Sequence, residues 1–595
     1  MRSATSFFDK TLARTDVRRY WPLLFVYTAF WLLLLPVVQW SELPHVTYAG
    51  RYIYDTMVFA LAGAVAIGLL MAMALYSYLM NSRSVGLMHS LPVTRHTQFF
   101  SHFFAGMGML TVGKILVVLT SLAVQLLHHN VDVKATLLWF VVATLLELFF
   151  FSLGILCCML TGWLLAAPVI YAAANCFVLL LTLLLRALGQ LFYFGYHAGS
   201  MPAITRWLTP VYVLGEELGE TGYVDYNGGM GMDWEPQPPV MNSEVWPPLL
   251  FYTVLALVFL ALAYFLYRKR ASESASDPVA FGWARPVFRH GIAVYGGLFF
   301  GYGLYSLLEL NNDGGVKTVK LLICVVLMGA LWSFAAEMLI RKTFRVFRTG
   351  WKGAAILSAA LVLVCVAVRM DITGYETRVP DPDKVVSVDV NLSHEGVRVY
   401  DGTDPETIAM ALELHEAIVT EGRAAEGLEE TYRIQISYEL KSGAVLSRRY
   451  LLSLAGAKSS DRIYNAAQKM MATEEIRLYT VFGNYHPDIS QIRGGYLNSR
   501  MTSELNRQLT VEEAKTLYRA ILDDLASGAG AFLPMQPVRL YSSVYIELDT
   551  GANTVWIDSV SPDFTNTVAV LEDLGIKPEE MWVDDYGKYI EWVEG

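Results

Sequence analysis

The chain has 595 residues, of which 54% are hydrophobic and 17% charged, with a formal net charge of −10. A soluble protein averages about 25% charged, and the shortfall is concentrated in the first 370 residues, which carry about nine apolar stretches long enough to cross a bilayer; the last 225 carry none. This excludes a wholly soluble protein and points to an integral membrane protein with a folded soluble tail.

A helix crosses the roughly 30 Å hydrocarbon core with about 20 residues, because an unpaired backbone amide in lipid is too costly. The expected spans are Trp21–Trp40, Met57–Met80, Phe104–Leu127, Ala135–Cys157, Trp163–Leu185, Leu249–Tyr267, Gly291–Leu308, Val319–Ile340 and Ala354–Val368. Ahead of them, residues 6–20 interleave Phe7, Phe8, Leu12, Val17 and Tyr20 with Lys10, Arg14, Arg18 and Arg19. That pattern suits an amphipathic helix in the inner interface, and with Trp21-Pro22 it marks the first span as retained rather than a cleaved leader.

Between the second and third spans, residues 81–104 read NSRSVGLMHSLPVTRHTQFFSHFF. Leu91-Pro92 interrupts this segment, and Thr94 is placed to cap a helix whose first turn carries Arg95 and His96. It reads either as an ordinary polar turn or as a short surface helix presented to a partner protein. Further on, Gly108–Lys114 reads GMLTVGK and formally fits a phosphate loop. Ile115 stands where Ser or Thr would hold magnesium, and the segment is apolar helix, so the match is accidental. Gly106, Gly108 and Gly113 instead suit close helix contact.

Lys114, Glu147, Asn175 and Glu337 are polar groups within apolar spans, where such groups face a bundle interior or a cavity. Lys114 and Glu147 either pair across the third and fourth spans or meet a substrate. Glu337 lies one turn from Arg341 and is expected to pair with it. All five cysteines fall in apolar segments and read as small packing residues, with no disulfide framework or metal site. The outer loop 186–247 is acidic, and its part around 203–214 is too short to span. Residues 271–280, ASESASDPVA, read as a polar linker.

With the N-terminus in the cytoplasm, the cytoplasmic segments hold 17 Lys and Arg residues and the opposite loops six. This positive-inside bias places the tail after the ninth span outside. The expected localisation is therefore a multi-pass plasma-membrane protein with a cytoplasmic N-terminus and an extracellular C-terminal domain.

The tail alternates strand and helix patterns. Val385–Val390 and Gly396–Tyr400 read as strands, and Pro405–Val419 as an amphipathic helix. Tyr432–Leu440 and Ala444–Leu452 read as a hairpin, and Ser459–Met470 as a helix. Thr510–Ala526 opens with a capping box of Thr510 and Glu513. Ser542–Leu548 and Thr554–Val560 form a second hairpin, and Thr565 or Asn566 caps a last helix. The fold class is thus a polytopic α-helical membrane protein of about nine spans followed by a soluble α+β domain. No protease or hydrolase motif appears, and His394, His415 and His486 are scattered, so no catalytic or metal-binding residues are assigned.

The order of these elements resembles the permease subunits of type-2 ABC exporters, in particular a Gram-positive group encoded beside their ATPases. The likeness rests on the elbow-like residues 6–20, on LMHSLPVTRHTQFFSHFFAG at 87–106, on the outer segment 187–247 and on YRKRASESASDPVAF after the sixth span. It covers roughly residues 1–270, and the three further spans and the large tail depart from the six-span pattern. The resemblance implies an elbow helix at 1–20 and a six-span core at 21–267; beyond it the chain's own pattern gives a cytoplasmic linker at 268–290, three additional helices at 291–370 and an extracytoplasmic domain at 371–595. It also implies a translocation path between the first, second and fifth spans of two permease subunits, identical or related. Two ABC ATPase subunits would dock against Arg83, Leu91, Pro92, Arg95, His96 and Phe99. ATP and magnesium would then belong to the partner ATPase; this chain would hold no cofactor and act on no nucleic acid, with membrane lipids around it. The alternative is a membrane-anchored sensor or assembly protein whose exported domain binds an envelope ligand without transport.

Overall fold

The computed structural model describes residues 7–583 apart from 220–222, 225–238, 309–316, 373, 393–396, 424–430, 483–485, 500–505, 530–540, 552, 558–559 and 578–580. Much of the acidic outer loop and His394 therefore lie outside the described residues. The chain divides into two compact units, one of residues 1–187 and 200–365, the other of 188–199 and 366–595.

The first unit is helical. Its main helices are α1 (Lys10–Leu32), α2 (Met57–Tyr76), the short α3 (Ser82–His89), α4 (Arg95–Leu127), α5 (Val133–Leu160), α6 (Ala166–Phe192), α7 (Trp246–Lys269), α8 (Ala284–Leu307), α9 (Lys317–Arg341) and α10 (Phe347–Arg369). Asp9 caps α1 by accepting from the amides of Thr11 and Leu12. The helix then runs from the amphipathic stretch into the first span without a break. A π-helical turn at Leu33–Val37 absorbs Pro36, which has no amide to give an ordinary helix.

Seven helical segments among the described residues are long and apolar enough to cross a membrane: Lys10–His45, Ala49–Met80, Arg95–Leu127, Val133–Leu160, Ala166–Phe192, Ser243–Lys269 and Val319–Arg341. Within α10, Gly350–Val364 is a shorter apolar stretch. Helix α8 is rich in glycine and tyrosine, which dilutes its apolar character, and Gly296, Gly297 and Gly301 form its packing face. A Cβ on Gly301 would lie 2.6 Å from the Val325 Cα, and one on Gly297 would lie 2.7 Å from the Gly329 Cα. Small residues let α8 and α9 approach backbone to backbone, as helices in lipid do where dispersion replaces the hydrophobic effect. In α4, Gly106 packs on Leu75 and Phe151 and Gly113 on Thr28 and Leu24, whereas Gly108 faces open space.

The expected linker is an ordered strap. Gly162 donates its amide to Asp277 O at 2.8 Å and accepts from the Ser276 amide at 2.7 Å, and the Ala280 amide reaches Leu160 O at 2.9 Å. A Cβ at Gly162 would fall 1.9 Å from Ser274 O, so only glycine fits there.

The second unit is a duplicated fold. Strands β1 (Val385–Leu392), β2 (Val397–Gly402), β3 (Thr431–Leu440) and β4 (Val445–Ser453) form an antiparallel sheet in the order β2-β1-β3-β4. Strands β5 (Gly494–Ser499), β6 (Arg507–Leu509), β7 (Val544–Asp549) and β8 (Thr554–Ile557) form another in the order β6-β5-β7-β8. Each lobe runs hairpin, helix, hairpin, helix, with the second strand at one edge and the fourth at the other. The helix inside the first lobe is α11 (Pro405–Glu421), followed after the sheet by α12 (Asp461–Ala472) and α13 (Glu474–Phe482); the second lobe uses α14 (Val511–Ser527) and α15 (Thr565–Asp573). The sequence echoes the repeat at the second hairpin of each lobe, where Glu-Leu-Lys-Ser-Gly-Ala at 439–444 answers Glu-Leu-Asp-Thr-Gly-Ala at 547–552. Gly443 and Gly551 both take left-handed φ angles, 75° and 81°, which favour glycine.

Thr510 and Glu513 form the expected capping box of α14. Helix α15 is capped differently from expectation, since neither Thr565 nor Asn566 supplies the cap. The buried Asp524 of α14 accepts from the amides of Asn566 and Thr567 and from their side chains, at 2.7–3.0 Å. A carboxylate on the N-terminus of another helix satisfies orphan amides and meets the favourable end of the helix dipole.

Residues 188–199, the end of α6 and the segment after it, are built into this unit. Phe194 joins the first lobe's core against Tyr450, with ring centroids 5.0 Å apart, and its amide donates to Glu376 Oε1 at 2.9 Å. The Arg449 amide donates to Gly195 O at 3.2 Å, and Gly195, at φ 73°, has no room for a side chain beside the Tyr450 ring.

His415 of α11 is fully buried, with Nε2 2.9 Å from Tyr450 Oη. Burial, helped by the Arg448 charge, lowers its pKa to about 3. The unfolded chain takes up this proton near pH 6.5 and the folded one only near 3, so its contribution is complete above pH 6.5 and is lost as pH falls between those values. Acidification from pH 7 to 5 should therefore cost the domain about 2 kcal/mol through this group alone. Hydrogen exchange of β3 in the full chain at both pH values measures the loss, and His415→Gln should remove that part of the pH dependence; an unaltered dependence in the variant would contradict it.

Candidate functional site

The segment between the second and third spans folds as α3, a turn at Leu91–Val93, and the start of α4. Asn81 caps α3 through the Arg83 amide at 3.0 Å, and Thr94 caps α4 through the Thr97 amide at 3.2 Å. Four of the first five residues of α4 anchor it. Arg95 Nη1 donates to the carbonyls of Arg268 and Arg270, at 3.4 and 3.2 Å. His96 Nδ1 lies 2.9 Å from Tyr264 Oη. Gln98 donates to Met88 O at 2.6 Å and accepts from Tyr267 Oη at 3.0 Å, and Tyr267 in turn meets Tyr78 Oη at 2.9 Å. Phe99 is fully buried between Tyr264 and Tyr267.

What these anchors leave outside is a small ridge. Arg83, Leu87, Leu91 and Pro92 are exposed, Leu87 by 69%, while Val85 on the opposite face is buried. The six candidate residues thus fall into two groups: Arg83, Leu91 and Pro92 form surface, and Arg95, His96 and Phe99 hold that surface on α7. Gln98, which is unremarkable in sequence, links the turn to the tyrosine pair. Burial, with Arg95 and Arg270 nearby, lowers the pKa of His89 at the end of α3.

Sequence reasoning also passed over Arg270, which there looks like one more positive-inside charge. Its guanidinium is buried and donates to Cys158 O at 2.8 Å, Met159 O at 3.0 Å and Leu79 O at 3.0 Å. It ties the turn after α2 and the last turn of α5 to the end of α7. Nothing local distinguishes it from Arg268 beside it.

The four polar groups within the spans do not converge on one cavity. Lys114 and Glu147 meet across α4 and α5 at 2.5 Å, with Lys114 also donating to Thr144 at 2.8 Å and Tyr27 of α1 donating to the other carboxylate oxygen. Both ions are buried, so each satisfies the other. Asn175 donates to Tyr171 O one turn back in its own helix at 2.9 Å, and its Oδ1 has no hydrogen-bond partner among the described residues. Glu337 binds Arg341 at 2.5 Å, as the one-turn spacing predicts, and also Arg289 of α8 at 3.4 Å. A further buried pair, His102 with Asp16 at 2.7 Å, joins α4 to α1.

Among the described residues no three His, Cys, Asp or Glu side chains gather as a metal site would require. The site is thus an anchored surface ridge above a bundle whose internal charges are locally paired. No protein-family model matches this chain, and no curated protein is similar enough to it to serve as a relative.

Removing one member of the Lys114–Glu147 pair strands its partner in the bundle. Lys114→Met should destabilise the detergent-solubilised protein by about 3–5 kcal/mol, whereas Lys114→Met with Glu147→Gln should restore most of that loss. Thermal unfolding of the three proteins checks this; a double variant as unstable as the single one would contradict a purely structural pair.

Proposed function

We propose that this chain is the transmembrane permease subunit of an ATP-driven exporter, coupled to a separate ATPase through the turn between its second and third spans. The observation that carries this reading is the ridge itself. A short helix and the turn after it keep Arg83, Leu87 and Leu91 in the open while six hydrogen bonds and a buried phenylalanine hold their base. A polar turn with no partner has no need of exposed leucines on so firmly anchored a base. In this reading two ATPases dock against the ridges of two permease subunits, and ATP-driven closure shifts the inward–outward equilibrium of the bundles through that contact.

The N-terminus and the ridge then face the cytoplasm and the C-terminal domain faces outward. Residues 188–199 and 366–595 form one folded unit, which supports placing both on one side of the bilayer, with an even number of crossings between them. Helices α7 and α9 have the length and apolarity of spans, and α8 packs along α9 through its glycines. An even count then requires α10 to cross as well, giving nine crossings in all.

A second reading, a sensor that binds an envelope ligand, draws on the open face of the second-lobe sheet. There Glu547 lies in register between Tyr496 and Trp556, both exposed. Copurification separates the two readings: an ATPase accompanying the chain after mild solubilisation favours the exporter, and a clean single chain favours the sensor.

Arg83→Glu with Leu87→Asp should abolish ATPase copurification and transport-coupled hydrolysis while leaving membrane insertion intact. Phe99 is unsuited to that test because its loss would damage the bundle. An ATPase that copurifies undiminished with the Arg83/Leu87 variant would sink the docking assignment. For topology, single cysteines replacing Gly199 and Val445 in a cysteine-free background should both react with an impermeant maleimide on intact cells, and one replacing Gly282 only after permeabilisation. Labelling of 199 and 445 from opposite sides would overturn the even count.

A further inference from the structure

The first unit has a cluster of cations that the proposed exporter mechanism does not use. Where α8 begins and α9 ends, a cavity of about 660 Å³ is lined by Arg285, Arg289, Arg341 and Glu337. An adjoining cavity of about 230 Å³ adds Lys342 and Asp277. Four cations thus face two carboxylates. Asp277 takes Lys342 at 2.7 Å and Arg285 at 3.5 Å, and Glu337 takes Arg341 and Arg289.

Each carboxylate orients its two cations without exhausting them. The side chains of Arg285, Arg289, Arg341 and Lys342 remain 42–52% exposed, while that of Glu337 is only 8% exposed. The net excess of two positive charges is therefore preorganised around a space, with guanidinium forks free to bond oxyanions in pairs. The surroundings identify the level at which this space lies. Trp283 is 65% exposed at the start of α8, and Phe344 and Phe347 are exposed where α9 gives way to α10. Large aromatics exposed at the ends of spans mark the boundary between hydrocarbon and headgroups. By the charge bias this end is cytoplasmic, and that leaflet carries anionic lipid.

We propose that this cavity is a phosphate-binding site for the headgroup of an anionic phospholipid, held by Arg285, Arg289, Arg341 and Lys342 at the end of the α8–α9 hairpin. The phosphate would sit among the four cations while the acyl chains run along the exposed apolar surface of the hairpin. The chemistry recognised is a phosphate ester, and a soluble phosphate could in principle supply the same oxygens, so the test separates the two sources.

The full chain is placed in nanodiscs of equal phosphatidylglycerol and phosphatidylcholine, extracted, and its retained lipid measured by native mass spectrometry. Phosphatidylglycerol should be retained over phosphatidylcholine by roughly tenfold. Arg285→Gln with Lys342→Gln should remove most of that preference, whereas Arg14→Gln with Arg18→Gln, two exposed cations lost from α1, should leave it. Asp277→Asn, which removes an anion and keeps every cation, should strengthen retention, and this opposite sign separates ligand binding from damage to the fold. Thermal stabilisation of the lipid-free protein by millimolar inorganic phosphate, lost in the Arg285/Lys342 variant, would assign the site to a soluble phosphate instead of a lipid. Equal retention of the two lipids with no response to inorganic phosphate would overturn the proposal, as would an equal loss in the Arg14/Arg18 control.

Discussion

Arg270 is the tie on which one end of the helical unit depends. A guanidinium buried at the end of a helix bundle is costly unless its donors are used, and here they meet carbonyls of the turn after α2 and of the last turn of α5. The backbone carbonyl of the same residue accepts from Arg95 and so sets the first turn of α4. One residue thus fixes three helix ends and the base of the ridge between the second and third spans. The tyrosine pair Tyr78–Tyr267 and Gln98 extend the tie beneath that ridge.

The same rule, that a polar group in an apolar bundle must find its partner inside it, organises the rest of the first unit. Tyr27, Lys114 and Glu147 bind α1, α4 and α5, and Asp16 with His102 adds a second link between α1 and α4. Glu337 does the same for α8 and α9, but near the membrane boundary, where its arginines stay half exposed and open to an anion. Elsewhere contact is made by the absence of side chains. Gly162, Gly297 and Gly301 each bring backbone against backbone, and at Gly162 this turns a polar stretch into an ordered strap.

In the C-terminal unit two lobes of one topology each close their own core. Joining residues 188–199 to the first lobe makes a loop between spans a structural part of that unit.

The sequence by itself determined whatever depends on neighbours along the chain. Apolar runs specify where helices can cross a bilayer, and seven have the length and composition of spans, while the glycine-rich α8 and the short apolar part of α10 fall below that measure. Local caps were equally legible at Thr94 and at Thr510 with Glu513, as were the hairpin turns at Gly443 and Gly551 and the one-turn pair of Glu337 and Arg341. Tertiary structure alone decided what depends on partners far along the chain. It paired Lys114 with Glu147, made Asp524 the cap of a helix that begins 41 residues later, buried Arg270 but not Arg268, turned Phe99 inward, and revealed two hairpins as halves of a repeat. The physical reason is that a buried charge or an orphan amide requires a partner but does not specify where in the chain that partner lies. Packing selects it, and identical residue types a few positions apart receive different roles.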